Sequence, residues 1–78
     1  MVKVVLPELG ERITKATVSY WFAKDGERIR VKDDLVELTT DKSTFNLPSP
    51  ATGVISEIMY SEGDSVEVGQ ILAVINEE

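Results

Sequence analysis

The feature that most constrains this chain is an internal repeat. Shifting the sequence by 37 positions lays Asp25-Gly26-Glu27 on Glu62-Gly63-Asp64, Ile29 on Val66, Val31 on Val68, Leu35 on Leu72 and Leu38 on Ile75. Val18 falls on Ile55 and Phe22 on Met59 in the same alignment. At a shift of 41, Leu6-Pro7 falls on Leu47-Pro48, so the first copy is expected to carry about four extra residues in the loop around Gly10. A chain of 78 residues has room for one core, and the two copies must share it. A domain this short buries only about 60–65% of the surface its unfolded chain exposes, so little of the core is dispensable.

Each copy reads as strands. Val2–Leu6 is a β-branched run closed by Pro7, which cannot donate to a ladder. Glu8 to Lys15 is a polar loop around Gly10. Ala16–Phe22 follows as a strand, with Val18, Tyr20 and Phe22 on one face and Thr17, Ser19 and Trp21 on the other. After the Lys24-Asp25-Gly26-Glu27 turn, Ile29 and Val31 alternate with Arg28, Arg30 and Lys32 as a short half-buried strand. Asp33-Asp34 turns the chain into Leu35–Thr39. The second copy supplies Thr44–Leu47, Val54–Met59, the Val66/Val68 alternation and the apolar run Ile71–Ile75. No segment carries apolar residues at helical spacing over a helical length. The expected fold is all-β: two four-stranded antiparallel sheets related by a pseudo-two-fold axis.

The link between the copies is the informative stretch. Leu35–Thr39 and Thr44–Leu47 are joined at Asp41-Lys42, which offers a long cationic side chain at the apex of a hairpin. Asp suits a tight turn because its carboxylate can bond the local backbone. With no glycine at the apex, a type I turn is favoured over type I′. The repeat equates Asp41 with Glu78, so the apex and the chain ends are expected at opposite ends of the molecule, as in a tethered domain that presents Lys42 away from its tether.

Composition narrows the chemistry. The chain has no Cys and no His, which removes the thiolate nucleophile, the usual general base and the commonest metal ligands. No catalytic constellation and no metal site are expected. Residues 1–42 balance eight basic against eight acidic side chains, while residues 43–78 hold six acids and no base. Such a surface repels phosphate backbones, so neither nucleic acid nor an anionic membrane is expected as a partner, although the solubility of a small domain accounts for the same asymmetry. No apolar run approaches the roughly 20 residues of a membrane span, and the N-terminus lacks signal-peptide character. A cytoplasmic, monomeric domain is the expectation.

With these elements placed, the sequence resembles the lipoyl domain of 2-oxo acid dehydrogenase complexes along essentially its whole length. The residues that carry the resemblance are Leu6-Pro7-Glu8-Leu9-Gly10-Glu11, Trp21-Phe22, Asp34-Leu35-Val36-Glu37-Leu38, Thr40-Asp41-Lys42 and Leu47-Pro48-Ser49-Pro50. Further on they are Gly53-Val54-Ile55, Glu62-Gly63-Asp64 and Val68-Gly69-Gln70-Ile71-Leu72-Ala73. Ser43 stands where Ala is more usual, and Asn46 where an acidic residue is common.

The resemblance implies a flattened β-barrel and a lipoyl group in amide linkage to Lys42. Thr40, Asp41 and Ser43 would form the turn context for the attaching lipoate ligase or lipoyl transferase. It implies a carrier, not catalytic alone, forming the N-terminal piece of a dihydrolipoamide acyltransferase. The arm would accept an acyl group from a thiamine-diphosphate-dependent 2-oxo acid decarboxylase, pass it to coenzyme A at the acyltransferase core, and be reoxidised by dihydrolipoamide dehydrogenase. The family's first long loop flanks the modified lysine, which makes Gly10, Glu11 and Arg12 candidate decarboxylase contacts. Two other readings stay open, a biotinyl carrier and an unmodified adaptor. The biotinyl family places Met on both sides of its lysine, where this chain has Asp41 and Ser43.

Overall fold

Short β-branched and aromatic runs, closed every few residues by Gly, Pro or Asp, leave the backbone no alternative to strands. A computed structural model describes residues 1–10 and 12–78, and among them there is no helix. The strands are β1 (Val2–Val5), β2 (Lys15–Trp21), β3 (Arg28–Ile29), β4 (Asp34–Thr39), β5 (Thr44–Pro48), β6 (Gly53–Ile58), β7 (Ser65–Glu67) and β8 (Ile71–Glu77). They form two antiparallel sheets of order β1-β8-β6-β3 and β5-β4-β2-β7. This is the expected pair of four-stranded sheets, in a molecule of 36 × 20 × 18 Å.

The repeat is written into the hydrogen bonds. Gly26 N donates to Ile55 O at 2.8 Å, and 37 positions on Gly63 N donates to Val18 O at 2.7 Å. Ile55 N to Glu27 O (2.9 Å) is matched by Val18 N to Asp64 O (2.8 Å), and Phe22 N to Leu35 O (2.8 Å) by Met59 N to Leu72 O (2.9 Å). Exchanging the copies turns one sheet into the other in the same strand order, so each sheet takes strands from both copies.

One sequence alignment is corrected. Val5 pairs with Ile71 as Pro48 pairs with Asp34, and Val4 with Ala73 as Leu47 with Val36. The first strands of the two copies therefore correspond at a shift of 43, not 41, and the loop around Gly10 holds six extra residues rather than four. The Leu-Pro pair misled the alignment because Pro7 lies beyond the end of β1 whereas Pro48 closes β5.

The core lies between the sheets. Leu6, Val18, Leu35, Val36, Leu38, Ile55, Val66, Leu72 and Ile75 are all essentially inaccessible to solvent. Burying side chains of this kind stabilises a fold by about 1.5–3 kcal/mol each. Two strand readings fail here. In β2 the alternation Val18/Tyr20/Phe22 does not hold: Tyr20 and Phe22 are 51% and 42% exposed while Trp21 is buried. A bulge sits between Val18 and Tyr20, so one added residue reverses the faces. The expelled rings pack edge to face at 5.1 Å between centroids. The expected Ile29/Val31 strand stops at Ile29, and Val31 is exposed. A tight turn intervenes, in which Asp33 N donates to Arg30 O (3.1 Å), Arg30 N to the Asp33 carboxylate (3.1 Å), and Lys32 takes a φ of 78°.

β5 carries the chain away from the Asp41-Lys42 turn, and past its far end Thr52 O accepts from Glu78 N at 3.1 Å. Val2 pairs with Ile75 near the same end. Apex and chain ends thus lie at opposite ends, as the repeat requires.

Candidate functional site

The β4–β5 hairpin is held in register from Val36↔Leu47 to Thr39↔Thr44. Beyond it, Thr40 N donates to Ser43 O at 2.8 Å, leaving Asp41 and Lys42 as the two apex residues. Neither has a positive φ, in keeping with a type I rather than a type I′ turn. Asp41, Lys42 and Ser43 are exposed and Thr40 is half-buried.

The side chain that organises the turn is not the one expected. The hydrogen bonds come from Thr40, and among the described residues none is made by the Asp41 carboxylate. Thr40 Oγ1 accepts from Ser43 N at 3.1 Å and from Lys42 N at 3.3 Å, and it donates to Ser43 O at 3.1 Å. A hydroxyl can do this because it is donor and acceptor at once, whereas a carboxylate only accepts. One residue pair below, hydroxyls join three strands. Ser19 Oγ lies 2.5 Å from Thr39 Oγ1, and Thr39 Oγ1 lies 3.3 Å from Thr44 Oγ1. Ser19 is the bulged residue of β2, so the bulge that turns Trp21 inward also aims a hydroxyl at the base of the hairpin.

Beside the apex is a cleft of about 470 Å³, lined by Arg12, Ile13, Thr14, Lys15, Ala16, Thr17, Thr39, Thr40, Asp41 and Lys42. The loop after β1 therefore lies against the apex, as expected, and Arg12 lines the same cleft as Lys42. Gly10 does not line it; with a φ of 118° it borders a neighbouring hollow formed with Glu8, Arg12, Ile13, Thr14, Glu67 and Val68. Glu11 lies outside the described residues. Sequence reasoning missed Lys15, placed only at the end of a polar loop, and the hydroxyls of Thr14 and Thr17. The signal was available in the hairpin register: Thr17 pairs with Thr39, which sets the start of β2 beside the apex. Three cations and Asp41 thus share one cleft on a chain of net charge −6. Among the described residues the one ion pair joins Arg28 to Glu78, far from the apex, and the Lys42 amine has no carboxylate partner.

Comparison with known proteins agrees with this fold. A family model described as "Biotin-requiring enzyme" matches residues 2–75. The dihydrolipoyllysine-residue succinyltransferase component of the 2-oxoglutarate dehydrogenase complex of Bartonella vinsonii subsp. berkhoffii is 47% identical over 73 residues, covering 94% of this chain and 18% of that protein. The dihydrolipoyllysine-residue acetyltransferase component of the pyruvate dehydrogenase complex of Corynebacterium glutamicum is 42% identical over 74 residues, covering 95% of this chain and 11% of that protein. The chain thus spans less than a fifth of the length of either relative. The solution structure of the lipoyl domain of the 2-oxoglutarate dehydrogenase complex from Azotobacter vinelandii superposes with a TM-score of 0.81 at 34% identity, covering 99% of this chain and 98% of that one.

Proposed function

This chain belongs to the biotin/lipoyl-attachment family, in which its likeness is to lipoyl domains, and on that footing we propose that Lys42 carries a lipoyl group in amide linkage to Nζ and works as a swinging arm. The domain is a carrier and is not catalytic alone. The observation that carries the reading is the place of Lys42, exposed at the apex of a well-tied hairpin with no carboxylate partner among the described residues. An amine so placed can enter a ligase active site without any part of the core moving, and the residues present fit the group. The bound lipoyl group would supply the redox and acyl-carrying chemistry of a cyclic disulfide, which a chain without Cys cannot supply itself. The protein's part is presentation. The hairpin holds Lys42 at the end of the molecule opposite the chain ends, and tethering there raises the arm's effective concentration at each partner site.

Lipoate is favoured over biotin because Asp41 and Ser43 stand where the biotinyl carriers have Met. The relatives' names point to a 2-oxo acid dehydrogenase complex as the setting, with a 2-oxo acid decarboxylase, an acyltransferase core and dihydrolipoamide dehydrogenase as partners. The side chain of Arg12, which lines the same cleft as Lys42, is the first candidate for contact with the decarboxylase. Mass spectrometry of the intact protein and its peptides, after parallel co-expression with a lipoate ligase and with a biotin ligase, tests the assignment. One lipoyl adduct on Lys42 is expected. A biotin adduct there without lipoylation would transfer the domain to the biotinyl carriers, and folded protein with neither adduct would leave an unmodified adaptor.

A further inference from the structure

We propose that Thr40 is the positioning residue for modification of Lys42, its hydroxyl fixing the backbone of the turn so that Nζ is delivered to the ligase in one geometry. This rests on the carrier reading. The hydroxyl makes three bonds inside a four-residue turn, to Lys42 N, Ser43 N and Ser43 O, and Thr40 N adds a fourth contact to Ser43 O. The two residues bound are the acceptor lysine and its neighbour, and among the described residues neither Lys42 nor Asp41 contributes a side-chain bond of its own.

The repeat supplies an internal control. Ser19 corresponds to Ser56, the bulged residue of β6, whose hydroxyl donates to Val74 O at 3.1 Å. In the apex copy the serine bonds the Thr39 hydroxyl instead. This departure from internal symmetry falls at the Lys42 hairpin. The serine bond to the base of the hairpin is therefore a property of the apex and not of the duplicated sheet.

The chemistry explains why position matters. The lipoyl donor is an acyl adenylate: Nζ forms a C–N bond to the acyl carbon, the acyl C–O bond to the phosphate breaks, AMP leaves and the amine gives up a proton. A lysine stem is flexible, so the ligase can sense only where the stem begins, and that is set by the turn. If the turn is in its competent geometry for only a fraction of the time, the apparent affinity falls by that fraction while the bound complex reacts as before.

The test is steady-state lipoylation of the purified domain by a lipoate ligase with ATP and lipoate, comparing wild type, Thr40→Val, Thr40→Ser and Thr40→Ala. Hydrogen exchange of the Lys42 and Ser43 amides is measured on the unmodified proteins. For Thr40→Val and Thr40→Ala the KM for the domain is expected to rise about fivefold to tenfold with kcat within twofold, in line with a smaller competent fraction. Both amides should exchange at least several times faster. Thr40→Ser should restore both readouts. An unmodified wild-type domain would overturn the carrier reading and this role with it. A wild-type KM in Thr40→Val, or a Thr40→Ser as poor as Thr40→Val, would overturn the positioning role alone. Loss of the folded state in both Thr40→Val and Thr40→Ala would make Thr40 a structural residue and overturn it too.

Discussion

Lys42 and Lys32 both lie in turns, and their backbones set them apart. Lys42 has an ordinary φ, an exposed side chain and no ion-pair partner among the described residues, so the fold asks nothing of its side chain. Lys42→Ala should therefore change stability by no more than about 0.5 kcal/mol, a thermal shift of at most ~4 °C in a domain this size, while removing the lipoyl adduct entirely. A large fall in the melting midpoint would mean that Lys42 is structural and would sink the carrier proposal. Lys32 is the reverse case. Its φ of 78° is matched by 92° at Gly69, its counterpart in the repeat. A left-handed backbone costs a side-chain-bearing residue about 1–2 kcal/mol, and glycine gives back about 0.5–1 through its freer unfolded state. Lys32→Gly should stabilise the domain by about 0.5–1 kcal/mol, read as a higher urea midpoint at unchanged m-value. A lower midpoint would show that the lysine side chain contributes more than the strain removes.

At the scale of the element, bulges decide what could be read in advance. The strands along the chain, the two four-stranded sheets and the Lys42 hairpin were legible in Gly, Pro and Asp punctuation and in the repeat, but the order of strands within each sheet was not. The inward face of β2 was not, because period-two reading assumes that no residue is added, and nothing in Val18-Ser19-Tyr20 announces the bulge. The repeat could have supplied it only through its mate, the bulge between Ile55 and Glu57, which is equally silent in sequence. The site was legible to a similar depth. The Lys42 apex follows from pattern and the flanking loop from the family resemblance, but bonding by Thr40 in place of Asp41 depends on rotamers that sequence does not specify. Gly53 is a case where sequence and structure converge. A Cβ there would run into the carbonyl oxygen of Asn76 and stand 2.9 Å from Glu77 Cα, both backbone atoms of β8. Relief requires β6 and β8 to part, so Gly53→Ala should cost about 1–3 kcal/mol by urea denaturation. A loss below about 0.5 kcal/mol would show that the pair can slide without penalty.

For the whole molecule, the duplicated copies do not form two halves that could stand apart. The sheet β1-β8-β6-β3 takes β1 and β3 from the first copy and β6 and β8 from the second, and the other sheet does the converse. The core divides likewise, with Leu6, Val18, Leu35 and Leu38 on one side of the apex in sequence and Ile55, Val66, Leu72 and Ile75 on the other. A fragment of residues 1–42 would hold β1, β2, β3 and β4, of which only β2 and β4 pair with each other. Residues 43–78 would retain only the β6–β8 pairing. A two-stranded pair is marginal at best in water, so each fragment alone should lack a cooperative transition by circular dichroism. Mixed at equal concentration, the two should regain a β-sheet spectrum and a melting midpoint that rises with concentration, because association now restores the shared core. The cut falls at the apex, where the chain crosses from one copy to the other and no core residue lies. Folding by either fragment alone would mean that one copy can close its own core, and the interleaving of strands would then be a consequence of covalent linkage rather than its physical basis.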